Sequence, residues 1–411
     1  MVKQTTLLSQ MESIVGREGI LGDPATFAVD GLTPQAAVAP ASYEQMAEVM
    51  RYAHAEGLAV IPRGGGAHMH IGNIPARYDI ALCLSRLTAV VEHEPADLTA
   101  TVQAGMPLSE LQGHLGGAGQ LLPLDPPGGE RATIGGILAA NASGPWRHAF
   151  GSARDITIGL RVVTAEGRIT RAGGRVVKNV AGYDLCKLYI GSLGTLGVIV
   201  EATFKLAPMP QAVATVAAAC DSAAAACGLA SALQRRGLAV RALSLMNRPA
   251  ASSGSRYALA VDLAGTPAAV GRSRRELAGL TPLEDLAEMP ANHSGGGDSL
   301  LCKASLLPSQ LPALIDALEA LEAPRLLAYP TVGVCYAAWA SPHDAESIAG
   351  AVRDRTSAAG GTLVLERCPL DLKRRLDVFG EPPASFGLMR RVKEQFDPRG
   401  VLSPGRFVGR L

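Results

Sequence analysis

The stretch that decides the fold is Pro62-Arg63-Gly64-Gly65-Gly66-Ala67-His68, directly after the apolar run Leu58–Pro62. The glycines therefore stand at the end of a predicted buried strand and offer consecutive backbone N–H groups unobstructed by side chains, the requirement for wrapping a pyrophosphate. Taken alone, the run fits a tight turn equally well. It is not the G-x-G-x-x-G of a Rossmann unit, and no G-x-x-x-x-G-K-[ST] occurs.

Upstream, Ala36–Pro40 reads as a short strand and Ser42 as a helix cap. Tyr43–Glu56 reads as a helix whose Met46, Val49, Met50 and Ala53 form one stripe, ended by Gly57. Ile80–Leu84 and Val90–Glu92 read as further strands, and a second subdomain is predicted to begin near Pro95. Downstream, residues 125–144, including GERATIGGILAANASG at 129–144, are too glycine-rich for an ordinary core helix and predict an irregular binding segment or a closely packed Gly/Ala-rich helix start. A third glycine-bearing region is KNVAGYDLCKL at 178–188 with GSLGTLG at 191–197. Val198–Leu206 reads as an alternating strand. Three such loops ahead of the Pro208-Met209-Pro210 boundary favour one long dinucleotide-like ligand bound in extended form.

Beyond 208, helices alternate with isolated apolar strands, the pattern of an antiparallel sheet covered on one side. The chain is thus predicted to be α+β. Residues 1–208 form a ligand-binding domain with subdomains of about 1–95 and 96–208, 209–380 form a second α+β cap domain, and 381–411 return to the first.

Composition narrows the function. Hydrophobic residues make up 48% and charged residues 18% of the 411-residue chain, the reverse of a disordered segment. Net charge is +1, so no global field draws the chain to nucleic acid or anionic lipid, and no nucleic-acid partner is expected. Seven cysteines without a C-x-x-C, and no Cys/His cluster at ligand spacing, predict reduced, buried thiols and no metal site. The N-terminus lacks a signal-peptide h-region, and no stretch reads as a membrane span, so a cytoplasmic location is expected, peripheral at the inner membrane only through partners.

PRGGGAH, the TIGG…NASG segment with the following Phe150-Gly151-Ser152-Ala153-Arg154-Asp155, KNVAGYDLCKL, and GSLGTLGVIVEATFKL at 191–206 agree in order and spacing with one family. Over residues 36–206 the chain resembles the FAD-binding domain of the vanillyl-alcohol oxidase and p-cresol methylhydroxylase superfamily. With FDPRGVLSPGRF at 396–407 it is most similar to the FAD-binding E subunits of bacterial glycolate oxidase complexes.

The resemblance implies FAD, with Arg63, Gly64, Gly65, Gly66, Ala67 and His68 as the pyrophosphate loop and Pro62 setting its approach. It implies that Asp125, Pro126, Thr133, Gly136, Ser143 and Gly144 flank the pyrophosphate and flavin, and that Ser152 and Asp155 hold the middle of the cofactor. The backbone from Gly194 through Gly197 to Ile199 would approach the adenosine half. Lys178 and Lys187 either neutralise phosphate or face solvent. His68 and His70 do not match a flavin-attachment histidine, so FAD is expected to be held non-covalently.

Catalytic relatives carry a histidine-rich base or metal cluster and a glutamate-histidine-glycine segment in the C-terminal half, whereas this chain has only His293 and His343 beyond residue 206. No catalytic residue is assigned. Arg325, Arg353, Arg367, Lys373, Arg374 and Arg375 are read mainly as a solvated or partner-facing surface. The resemblance further implies a larger FAD-containing catalytic subunit and an iron–sulfur subunit as partners, with a 2-hydroxy acid as substrate of the complex. The alternatives are a self-sufficient FAD oxidase or dehydrogenase, and a structural subunit with an empty flavin cradle.

Overall fold

The structure is a computed structural model, and it describes residues 2–174, 183–247, 255–286 and 300–411. Lys178 and His293 lie outside the described residues. The chain divides into two compact units, one of residues 1–143, 152–208 and 381–411, the other of 144–151 and 209–380.

In the first unit, Ser42 accepts a hydrogen bond from Gln45 N at 3.1 Å and Gly57 adopts φ 68°, which bracket the helix Tyr43–Glu56. Its buried stripe packs in one core with strands of two sheets. The first sheet is parallel, with Ile80–Cys83 between Ala36–Val38 and Val60–Arg63. The second is antiparallel and runs Val90–Glu94, Thr99–Gln103, Val198–Lys205, Thr157–Val163, Ile169–Gly173.

Two expectations change here. Val90–Glu94 pairs with Thr99–Gln103 across the short turn Pro95–Asp97, so the change of sheet precedes this hairpin rather than falling at Pro95. Proline at the first position of that turn closes a hairpin, which composition alone does not distinguish from a boundary. Val198–Lys205 is a strand as expected, but it is buried at seven of its eight positions rather than alternating, because it is central in its sheet and covered on both faces.

The second unit is an eight-stranded antiparallel sheet in the order Leu283–Asp285, Ala212–Cys220, Tyr257–Gly265, Val240–Asn247, Arg325–Tyr329, Val334–Trp339, Leu300–Ser305, Thr362–Arg367. Alternate strand residues such as Leu243, Leu245, Leu259 and Val261 share a core with Ala226, Ala230 and Leu233 of the helix Ala223–Arg235 and Leu314 and Leu318 of Leu311–Glu319. Leu301, Leu327, Tyr329, Val334 and Tyr336 form a separate cluster. Among the described residues no helix is long and apolar enough to cross a membrane.

Candidate functional site: a glycine-lined cleft

The strand Val60–Arg63 ends where its parallel sheet ends, and the chain turns into the glycine run at its carboxyl edge, the edge at which open parallel sheets bind ligands. Gly66 holds φ 81°, a left-handed conformation that glycine adopts without a Cβ penalty. The turn faces the helix Ile134–Ala140 so closely that side chains have no room. A Cβ on Gly64 would stand 1.9 Å from Thr133 Oγ1, and one on Gly65 2.1 Å from the carbonyl oxygen of Arg131.

That helix corrects the expectation of a wholly irregular segment. Thr133 is its N-cap position, Ile134, Ile137 and Leu138 are buried, and a Cβ on Gly135 would meet Ala104 at 3.0 Å. Gly135 therefore serves helix-to-strand packing, as the closely packed reading allowed.

A cleft joins these pieces. Pro62 through His68, Thr133, Gly136, Gly194, Gly197 and Ile199 all line it, so twelve residues singled out in the sequence converge. Asp125, Pro126, Ser143, Gly144, Ser152 and Asp155 do not line it. Ser152 and Asp155 instead cap the helix Ala153–Ile156: the Ser152 N–H and hydroxyl each donate to Asp155 Oδ2 at 2.7 Å. Burial raises the Asp155 carboxyl, but these two bonds and the charges of Lys187 and Arg154 outweigh it and hold the group below the ordinary carboxylate range. Gly144 belongs to the second unit, in the segment Gly144–Gly151. There the Arg241 guanidinium lies 4.3 Å from the Trp146 ring and pairs with Asp262 at 2.7 Å, and His148 Nδ1 is 2.7 Å from Thr331 Oγ1.

Arg406 was missed. It lines the cleft, is 3% exposed, donates to the carbonyls of Met69 and Ile71 and faces Asp30 at 3.5 Å. The tail that carries it lies along the strand Val60–Arg63, with Val60 N donating to Val401 O at 2.7 Å and Ser403 N to Val60 O at 2.9 Å. Lys393 secures the same tail from inside, donating to Asp397 Oδ2 at 2.5 Å, Thr195 O at 2.8 Å and Leu402 O at 2.9 Å.

Of the other cations, Arg375 pairs on the surface with Glu346 and Asp371, and Arg353 donates to Asp377 O. Lys373 is buried, contrary to the solvated reading, since it lies on the inward side of the helix Leu370–Arg375. His343 is exposed, 3.3 Å from Glu322. Among the described residues no group of three or more His, Cys, Asp and Glu side chains could hold a metal.

The cleft suits a phosphate-bearing cofactor on its own evidence. Thr133 Oγ1 is buried and makes no hydrogen bond among the described residues, an orphan donor beside the glycine run. A buried polar group without a partner is costly, and a ligand oxygen satisfies it. Ser143 Oγ and Ser403 Oγ are buried in the same condition.

The fold is that of an FAD-binding domain of the p-cresol methylhydroxylase type joined to a second α+β domain. Residues 34–173 match the FAD binding domain family and residues 296–407 the C-terminal domain of FAD linked oxidases, so FAD is the cofactor this chain is built for. The structure superimposes on p-cresol methylhydroxylase with a TM-score of 0.78 at 15% identity, covering 99% of this chain and 97% of that one. With an alkyldihydroxyacetonephosphate synthase the score is 0.75 at 18% identity, over 97% and 84% of the two chains.

In sequence the chain is 46% identical over 124 residues to glycolate oxidase subunit GlcE of Escherichia coli, covering 30% of this chain and 35% of that protein. It is 35% identical over 185 residues to subunit GlcD of Bacillus subtilis, covering 45% and 39%. It is 38% identical over 177 residues to a D-2-hydroxyglutarate dehydrogenase of Xanthomonas citri, covering 43% and 38%. The matched stretches thus span well under half the length of these relatives.

Proposed function

We propose that this chain is the FAD-carrying, E-type subunit of a multisubunit 2-hydroxy-acid dehydrogenase of the glycolate oxidase kind. The observation that carries the reading is the 46% identity to GlcE, against 35% to GlcD. In this reading a larger flavoprotein subunit supplies the catalytic site and an iron–sulfur subunit takes electrons to a respiratory acceptor, in the cytoplasm or at the inner membrane through those partners.

Bound FAD supplies a two-electron acceptor, chemistry that no side chain provides. The chain's own residues bind and orient it. The N–H groups of Arg63 to His68 would hold the pyrophosphate, the Thr133 hydroxyl would donate to the same region, and the Gly194–Ile199 backbone would approach the adenosine half. Arg406 holds the loop by its Met69 and Ile71 carbonyls. Oxidation of a 2-hydroxy acid also needs a base for the hydroxyl proton and a cation for the carboxylate, which the larger subunit is expected to provide.

The test is stopped-flow flavin reduction by glycolate and by D-lactate, in the isolated chain and in the reconstituted assembly. Rapid reduction only in the assembly is expected. Reduction in the isolated chain as fast as assembly turnover overturns the accessory role, and a folded protein that takes up no FAD overturns the reading altogether.

A further inference from the structure

In the first unit the strand Val90–Glu94, the helix Leu108–Gly116 and the two-residue strand Gln120–Leu121 bring two histidines together. The ring centres of His93 and His114 stand 5.4 Å apart, with their planes inclined at 57°. Neither residue lines the FAD cleft. They lie too far apart in sequence for a metal-ligand spacing to be legible.

His93 is oriented from behind. Gln120, 5% exposed, donates from Nε2 to the Pro95 carbonyl at 2.8 Å, which turns its Oε1 towards His93 Nε2 at 3.0 Å. A carbonyl oxygen only accepts, so the neutral imidazole carries its proton on Nε2 and its lone pair on Nδ1. Metal-binding histidines are held in this way, one nitrogen donating to an oxygen while the other is left for the ion.

His114 is placed by its helix. Gln112, two residues earlier, accepts from Leu122 N at 3.0 Å and donates to Leu122 O at 2.7 Å, which clamps the helix to the segment that carries Gln120. His114 itself is exposed, so either ring nitrogen can turn to an ion.

The spacing suits chelation. With Zn–N bonds of about 2.0–2.1 Å and a near-tetrahedral angle, two imidazoles on one ion have ring centres roughly 5 Å apart. Neutral ring nitrogens select late divalent transition ions over magnesium and calcium, which take oxygen ligands. Among the described residues no acidic or thiol side chain completes a group of three, so water fills the remaining positions and binding is reversible.

We propose that His93 Nδ1 and a ring nitrogen of His114 form a two-imidazole site for a late divalent transition-metal ion such as Zn²⁺, independent of FAD.

The test is calorimetric titration of the full chain with Zn²⁺. A single saturable site is expected, weakened roughly tenfold or more by His114→Ala and by His93→Phe. It should be unchanged by His343→Ala, which removes another exposed histidine, with FAD content the same in every variant. Excess Zn²⁺ should raise the thermal unfolding midpoint of the native chain and not that of His114→Ala, because only the intact site adds binding energy to the folded state. Crystals soaked in Zn²⁺ should show anomalous density between His93 and His114. No saturable binding to the native chain, equal affinity in the native chain and both site variants, a site lost with His343, or zinc found elsewhere only overturns the proposal.

Discussion

The Arg406 Nη2 donates to the carbonyl oxygen of Met69 at 2.8 Å, so one guanidinium from the end of the chain fixes the exit of the glycine loop near its beginning. Burial lowers the pKa of this group, and Asp30 acts in the opposite direction. The contact makes the cofactor cradle depend on a tail that is remote in sequence.

Arg406→Leu should lower FAD affinity more than tenfold and cost about 3–5 kcal/mol of folding stability, because Asp30 and two buried carbonyls lose their donor. Arg406→Lys should rescue only part, since an ammonium cannot reproduce the planar fork. Flavin fluorescence titration and urea unfolding read the two effects separately.

Substitution of Gly65 should damage the protein even without cofactor. Its Cβ position collides with the Arg131 carbonyl, so Gly65→Ala is expected to cost about 1–3 kcal/mol in the FAD-free chain and to abolish tight FAD binding. Gly113→Ala is the contrast: it sits in the helix Leu108–Gly116 with nothing within 4 Å of the added carbon, and should stabilise by about 0.5–1 kcal/mol. Thermal unfolding with and without FAD compares them.

Thr133→Val separates cofactor binding from folding. The Oγ1 has no partner among the described residues, so an apolar isostere should leave FAD-free stability unchanged or raise it by about 1 kcal/mol. FAD affinity should fall roughly three- to tenfold, the worth of one hydrogen bond. A variant equally destabilised with and without FAD would place the hydroxyl in the fold instead.

Burial pushes the His148 imidazole below its ordinary value of 6.5. The folded chain thus refuses a proton that the unfolded chain accepts, so the stability tied to this group is complete above pH 6.5 and is lost as pH falls from 6.5 towards the folded value. His148→Gln should remove that slope while leaving the profile above pH 6.5 parallel to the parent. Unfolding free energies measured between pH 5 and 8 test it.

FAD should leave the polypeptide on acid denaturation, since neither His68 nor His70 is assigned a flavin bond. Mass spectrometry of the precipitated chain is expected to show the unmodified polypeptide mass, and a retained flavin mapped to either histidine would contradict this.

Much of the site was legible because its signals are local. A glycine run at a strand end and a cap-and-stripe helix can be read within about fifteen residues, and the backbone conformations they demand are intrinsic to those residues. The Ser152–Asp155 pair shows the limit: serine and aspartate three apart suit both a capping box and ligand contacts, and only the fold shows that Asp155 Oδ2 accepts from Ser152 at the helix start.

By itself, the sequence determined the α+β class, the glycine-rich segments and their order, the helix of Tyr43–Glu56 with its buried stripe, and the likeness to FAD-binding proteins, because each depends on short-range periodicity and backbone preference. Tertiary structure alone decided that Arg406 meets Met69 and Ile71 across more than three hundred residues, that Val90–Glu94 pairs with the second sheet, and that Thr133 Oγ1 and Asn141 Oδ1 are left buried without partners. Those facts depend on which distant segments pack together and on which polar atoms the packing leaves unsatisfied, and neither is encoded in any local window of the chain.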